Sequence, residues 1–295
     1  MKDGTNMELT KIINKIKEYG KLVMFSHTVF SLSFAAVSMV LAAKGLPQIS
    51  TMFWILVCFM AARTGANAIN RVIDAEIDAR NPRTATRQIP KGEIKKVEVI
   101  IFTSVCFIIM LFGAYKLNLV CLLLSPIALF LMIIYSYTKR FTFLCHLILG
   151  VTCACAPVGA WIAVTGKISL IPLLMGAANT LWVAGFDIIY GSQDYDFDRA
   201  NGLHSIPAEF GVKNALLISM TFHIVTLGCL FIIGILSQEL GLIYYMGLAV
   251  IAGLFIAEYK IISPTNLTNV NIASYSINQL VSIVLLVCGL LDALI

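Results

Sequence analysis

The sequence predicts an all-α membrane protein, and three observations carry that expectation. Of its 295 residues, 59% are hydrophobic and 13% charged, against about 45–50% and about 25% in soluble domains. Predominantly apolar stretches of about 20 residues, the length a bilayer core demands, recur from one end of the chain to the other. The strict alternation of a membrane β-barrel is missing, so helix is the state that satisfies the backbone in lipid. We therefore expect one domain, residues 1–295, built as a bundle of nine transmembrane helices.

Residues 1–21 lack the uninterrupted apolar run of a cleaved leader and place Leu9, Ile12, Ile13 and Ile16 on one side. That pattern predicts an amphipathic segment lying on the membrane surface. The nine spans are expected near 22–43, 49–70, 97–115, 118–137, 144–165, 169–190, 214–236, 240–260 and 273–294. The basic residues orient them. Eighteen of the 21 Lys and Arg fall on the N-terminal side of the membrane, leaving Lys44, Lys116 and Lys167 on the other. By the positive-inside rule the N-terminus is cytoplasmic and the C-terminus outside, as in the inner or plasma membrane of a prokaryote. These cations hug the membrane edge among acids, so no nucleic-acid partner is expected. The eight cysteines sit mostly in apolar segments and read as small packing residues rather than metal ligands or disulfides.

Seven of the 16 acidic residues gather in two short cytoplasmic segments: Asp74, Glu76 and Asp78 at the start of the loop 71–96, and Asp187, Asp194, Asp196 and Asp198 at the end of span six and in the loop 191–213. The first segment carries NRVIDAEID, in which Asn70, Asp74 and Asp78 stand four apart and share a helix face. Arg63 and Asn67 extend that polar stripe back into span two, which is expected to run on as helix to Asn81-Pro82. In the second, Asp187, Tyr190, Asp194 and Asp198 step by three, four and four. The pattern follows span two and again span six, which suggests two related halves plus one extra helix. A lone pair of membrane-edge acids is usually a solvated loop. The duplication, and the depth of Arg63, Asn67 and Asp187, favour a site.

Carboxylates at this spacing suit Mg²⁺, a hard cation commonly held by one or two carboxylates plus substrate phosphates. Arg71, Arg80, Arg83, Arg87, Lys91, Lys139, Arg140 and Arg199 lie in the same loops and in the short inner loop between spans four and five. Acids interspersed with Arg and Lys fit a metal-bridged diphosphate, whereas calcium storage would need no basic residues.

These motifs resemble the paired aspartate-rich motifs of the UbiA superfamily of intramembrane aromatic prenyltransferases. DARNPRTATRQIPKGEI (78–94), YSYTKRFT (135–142) and GLHSIPAEFG (202–211) are similar to its conserved loop segments, with His204 where many members have Lys. HTVFSLSFA (27–35) resembles the first span of the 4-hydroxybenzoate polyprenyltransferase branch; similar sequences are assigned to menaquinone synthesis with a dihydroxynaphthoate acceptor. The resemblance implies Mg²⁺-dependent transfer of a polyprenyl group from a polyprenyl diphosphate to a small aromatic acceptor, for ubiquinone or menaquinone biosynthesis. It implies Asn70, Asp74 and Asp78 around one metal and Asp194 and Asp198 around another. Arg71, Lys139 and Arg140 would face the leaving diphosphate, with His204 a further contact. Tyr135 and Tyr190 would lie beside the site, and Asn67 would continue its polar face. Arg63 or Arg140 would pair with an acceptor carboxylate, and Asp187 or Asp194 would act as base. Glu76 and Asp196 fall off the stripes, and His27, His146 and His223 show no constellation in the sequence. A transporter is the rival of another class, but its ions should bind near the midplane between broken helices.

Overall fold

The structure, a computed structural model, describes residues 18–23 and 28–295. The expected surface segment lies mostly outside that range, as does His27. Among the described residues the fold is helical: α1 (Thr28–Ala43), α2 (Ile49–Ile73), α3 (Ala75–Arg80), α4 (Lys96–Leu117), α5 (Leu119–Thr138), α6 (Cys145–Thr165), α7 (Leu170–Gly191), α8 (Tyr195–Ala200), α9 (Ile206–Leu236), α10 (Leu242–Lys260) and α11 (Asn278–Leu294). Eight helical segments are long and apolar enough to cross a membrane, one fewer than the nine expected. The difference is α1, which has 16 described residues.

The helix ends follow from local chemistry. Asn118 caps α5 by accepting from the Cys121 amide and ties it to α6 by donating to Ile162 O. Gly166 ends α6 in a left-handed conformation that costs glycine nothing. Ser205 caps α9 through the Ala208 amide. Gly211, at φ 77°, breaks α9 near its start, so its membrane stretch is preceded by a short turn of helix where a loop was expected. A π-helical turn, Ile272–Ile277, leads into α11 in place of a straight start. Asn278 fastens that turn, donating to Ala273 O and to the buried Glu258.

The two sides of the bundle are packed differently. Phe34, Trp182, Tyr244 and Phe255 fill a core between α1, α7, α9, α10 and α11. Between α2, α4, α5 and α6, small residues such as Ala62, Ala66, Ala128, Ala156 and Gly159 leave a cavity of about 350 Å³. Helices α6 and α7 approach closely at Gly150, where an added Cβ would lie 2.2 Å from Thr180 O. Small residues let membrane helices meet in this way.

Candidate active site

Both motifs sit where a long helix breaks. Helix α2 stops at Ile73, Asp74 takes φ −90° and ψ 2°, and the six-residue α3 follows. Helix α7 stops at Gly191, a 3₁₀ turn covers Ser192–Asp194 with Asp194 at φ −96° and ψ 8°, and the six-residue α8 follows. The helix expected to run unbroken to Asn81-Pro82 is therefore interrupted by one residue, Asp74. The i→i−4 bonds from the Asp74 and Asp78 amides to Asn70 O and Asp74 O run through the interruption.

Each of the four motif carboxylates has a cation. Asp74 accepts from Arg140 at 3.1 Å and from Asn70 Nδ2 at 2.7 Å. Asp78 takes Arg87 on both oxygens, at 2.6 and 2.7 Å. Asp194 is gripped by the Arg83 guanidinium and by Asn81 Nδ2. Asp198 holds Lys139 at 2.9 Å and the Ser205 hydroxyl at 2.9 Å. Asp78 and Asp194 are 5% exposed and Asp198 is 1% exposed. Charges this deep persist because they are paired and hydrogen-bonded.

The pairings stitch the motifs into one site. Arg83 and Asn81 belong to the first loop yet hold Asp194 of the second motif. Lys139 and Arg140 are neighbours at the end of α5; the first reaches Asp198 and the second Asp74. Arg83 also donates to the Tyr190 hydroxyl and lies over its ring, while Tyr190 packs edge-on against Tyr275 of the π-helical turn. Sequence reasoning placed Arg83 and Arg87 among phosphate-facing cations and missed that they cross-link the acids. Their only sequence signal is the basic run NPRTATR beside the motif.

The remaining expected residues are spread around this core. Asn67 donates to Val23 O at 2.8 Å and Arg71 to Leu22 O at 3.4 Å, so both hold the residues before α1. Tyr135 donates to Ala66 O at 3.2 Å. Arg63, Asn67 and Tyr135 line the cavity, which thus runs from apolar walls up to the first motif. His204 is half-exposed, 3.8 Å from Glu209, and its backbone amide donates to Lys139 O. Asp187 accepts from His146 Nδ1 at 2.7 Å; the sequence had left His146 without a partner.

The donor set fits Mg²⁺ by chemistry: an amide and carboxylates, all hard oxygen ligands. Burial pushes the Asp74 carboxyl above its ordinary range, against the pull of Arg140. A bound cation would offset that cost of burying the Asp74 charge. Burial works against the Lys139 ammonium, but Asp198 and Asp194 raise its pKa above the ordinary value. Among the described residues no three acidic, His or Cys side chains converge as a ready metal cluster. The carboxylates are instead closed on the chain's own cations.

Comparison with known proteins agrees with this architecture. The model of the UbiA prenyltransferase family matches residues 31–283. A 4-hydroxybenzoate octaprenyltransferase of Vibrio campbellii is 30% identical over 251 residues, spanning 84% of this chain and 88% of that one. The enzyme of the same name from Francisella tularensis subsp. tularensis is 30% identical over 262 residues, 88% of each chain. Among solved structures, the apo form of a UbiA homolog from Aeropyrum pernix K1 superposes with a TM-score of 0.82 at 32% identity, covering 91% of this chain and 98% of that one. A UbiA homolog from Archaeoglobus fulgidus, solved with GPP and Mg²⁺, shares the fold at a TM-score of 0.63 and 18% identity, covering 92% and 99%. With the paired motifs, the helical bundle and these matches in place, the chain belongs to the UbiA prenyltransferase family.

Proposed function

We propose that the protein transfers a polyprenyl group from polyprenyl diphosphate to 4-hydroxybenzoate, with Mg²⁺, at the cytoplasmic edge of the membrane. The observation that carries this reading is the stitched pair of motifs beside an apolar cavity of about 350 Å³ that Asn67, one turn before Asn70, helps to line. The motifs suit a diphosphate and the apolar cavity a prenyl chain. The acids lie at one end of the bundle rather than at its midplane, which disfavours a transporter. Relatives named 4-hydroxybenzoate octaprenyltransferases favour that acceptor over a dihydroxynaphthoate.

Asn70, Asp74 and Asp78 on one side and Asp194 and Asp198 on the other would hold Mg²⁺. When bound, the metal supplies positive charge to the leaving diphosphate. Arg83, Arg87, Lys139 and Arg140 exchange their carboxylate partners for phosphate oxygens, with Arg71 and His204 completing the cationic rim. Charged donors in a dry site stabilise the leaving anion more than they would in water. The apolar wall excludes water from the allylic cation, and the Tyr135 and Tyr190 rings shield it. Arg63 lines the cavity directly and pairs with the acceptor carboxylate; Arg140, already tied to Asp74, Ile73 O and Ser136 O, is the poorer choice. Asp187 takes the acceptor's proton, since Asp194 would be engaged by Mg²⁺ and by Asn81.

The test is product identification with purified protein in lipid, radiolabelled polyprenyl diphosphate, and either acceptor, with Mg²⁺ or EDTA. Mg²⁺-dependent prenyl-4-hydroxybenzoate is the expected product. Transfer to the dihydroxynaphthoate alone, or to neither acceptor by folded protein, overturns the reading.

A further inference from the structure

His146 is the second residue of α6 and is 2% exposed. It begins the stripe that continues through Leu149, Cys153, Ala156 and Ala160, all of which line the cavity. Its Nδ1 meets Asp187 Oδ2 of α7 at 2.7 Å. A carboxylate only accepts, so Nδ1 carries the proton. Asp187 is 27% exposed, and its Oδ1 has no hydrogen-bond partner among the described residues. It lies close enough to Cys153, a wall residue of the cavity, to act on it electrostatically. The far nitrogen of the ring, His146 Nε2, is buried and has no protein partner among the described residues. A neighbour makes room for this ring. A Cβ on Gly191 would stand 2.9 Å from His146 Cε1, closer than real Cβ contacts come, so a side chain there would press on the imidazole.

Ordinary packing does not account for this arrangement. A carboxylate that served only as its anchor would have no need to leave one oxygen unbonded and part-exposed. The pairing is the orienting contact of a general base: a positioned partner fixes which oxygen faces the reacting group.

We propose that His146 is a positioning residue that holds Asp187 through Nδ1–H, so that Asp187 Oδ1 receives the proton displaced from the aromatic acceptor. This rests on the function proposed above. In the step, a bond forms between the acceptor's ring carbon and the prenyl C1. The C1–O bond breaks and its electron pair leaves with the diphosphate. The proton lost from the ring passes to Asp187 Oδ1, and from there to solvent along its exposed edge. No redox partner is involved.

The experiment is steady-state kinetics of the full chain in lipid with prenyl diphosphate and 4-hydroxybenzoate. We expect His146→Ala to lower kcat by about tenfold to a hundredfold, the usual cost of losing a partner that orients a reacting group. KM for the prenyl diphosphate should not change. His146→Asn, whose side-chain amide replaces the Nδ1–H donor, should restore most of kcat. Asp187→Asn should be at least as slow as His146→Ala. Full kcat in His146→Ala, or an Asn variant as slow as Ala, overturns the proposal. If His146→Ala does not fold, the Asn variant decides alone: wild-type KM with near wild-type kcat supports the role, and a loss of kcat refutes it. Wild-type turnover separates the two readings. An active wild type with a fully active His146→Ala refutes the dyad alone. A folded wild type that transfers nothing to 4-hydroxybenzoate refutes the function and the dyad with it.

Discussion

Asn67, Asn70, Asp74 and Asp78 of the first motif occupy the same steps as Asp187, Tyr190, Asp194 and Asp198 of the second. Their backbones match as well: a long helix breaks at or just before the middle aspartate, and a helix of six residues follows. Their partners differ. The first motif gives one of its two carboxylates to Arg140 and leaves it 23% exposed at the side chain, while both acids of the second are buried and gripped from the first loop and from α5. At the deepest position Asn67 serves a backbone carbonyl, where Asp187 meets a buried histidine. On the function proposed above, the repeat would supply a symmetric frame for the diphosphate, and the asymmetry at 67 and 187 would serve to tell the acceptor from the donor.

Substitutions that blunt one motif test whether both are needed. Asp74→Asn and Asp194→Asn should each abolish turnover while the protein remains folded, because each removes a charge the diphosphate complex requires; a fully active variant would take its residue out of the site. Lys139→Met should act on stability. It leaves Asp198, 1% exposed, without its cation, and removing one partner of a buried pair costs about 3–5 kcal/mol. A thermal shift smaller than that of an exposed control such as Lys167→Met would mean Ser205 alone satisfies Asp198.

Smaller effects sharpen the contrast between the two sides of the bundle. Ala128→Phe places a ring in the cavity, where Ala128 is a wall residue. It should depress transfer from long prenyl donors more than from short ones in a competition assay; equal loss would place the chain elsewhere. Asn67→Asp makes the first motif imitate the second without a histidine to meet it. The Val23 carbonyl loses its donor, at a cost of about 1–3 kcal/mol in denaturation experiments, and no second base is gained. A faster enzyme would show that a carboxylate suffices at this position.

The membrane class and the placement of α4 to α7 were legible to within a residue or two, because lipid imposes a length and a polarity that composition displays directly. The motif spacings were legible because four-residue steps show on one line of sequence. The helix breaks at Asp74 and Asp194 were not. No Pro or Gly marks Asp74, and the break is set by Asn70, Arg140 and the packing around them. Nor was the start of α9 across Gly211, which reads as loop up to residue 213. The ion pairs were hidden for another reason. Arg83 and Asp194 stand 111 residues apart, and His146 and Asp187 stand 41 apart. Only the folding of α6 against α7, and of the first loop over the second motif, brings them together.

The central claim is that the two motifs form one Mg²⁺-dependent diphosphate site. The most direct measurement is binding of polyprenyl diphosphate to the purified protein in lipid, with Mg²⁺ and with EDTA, for the wild type, Asp74→Asn and Asp194→Asn. The account predicts tight binding by the wild type with Mg²⁺ only, and its loss in both variants. Wild-type binding undiminished by EDTA, or retained in full by either variant, would contradict it.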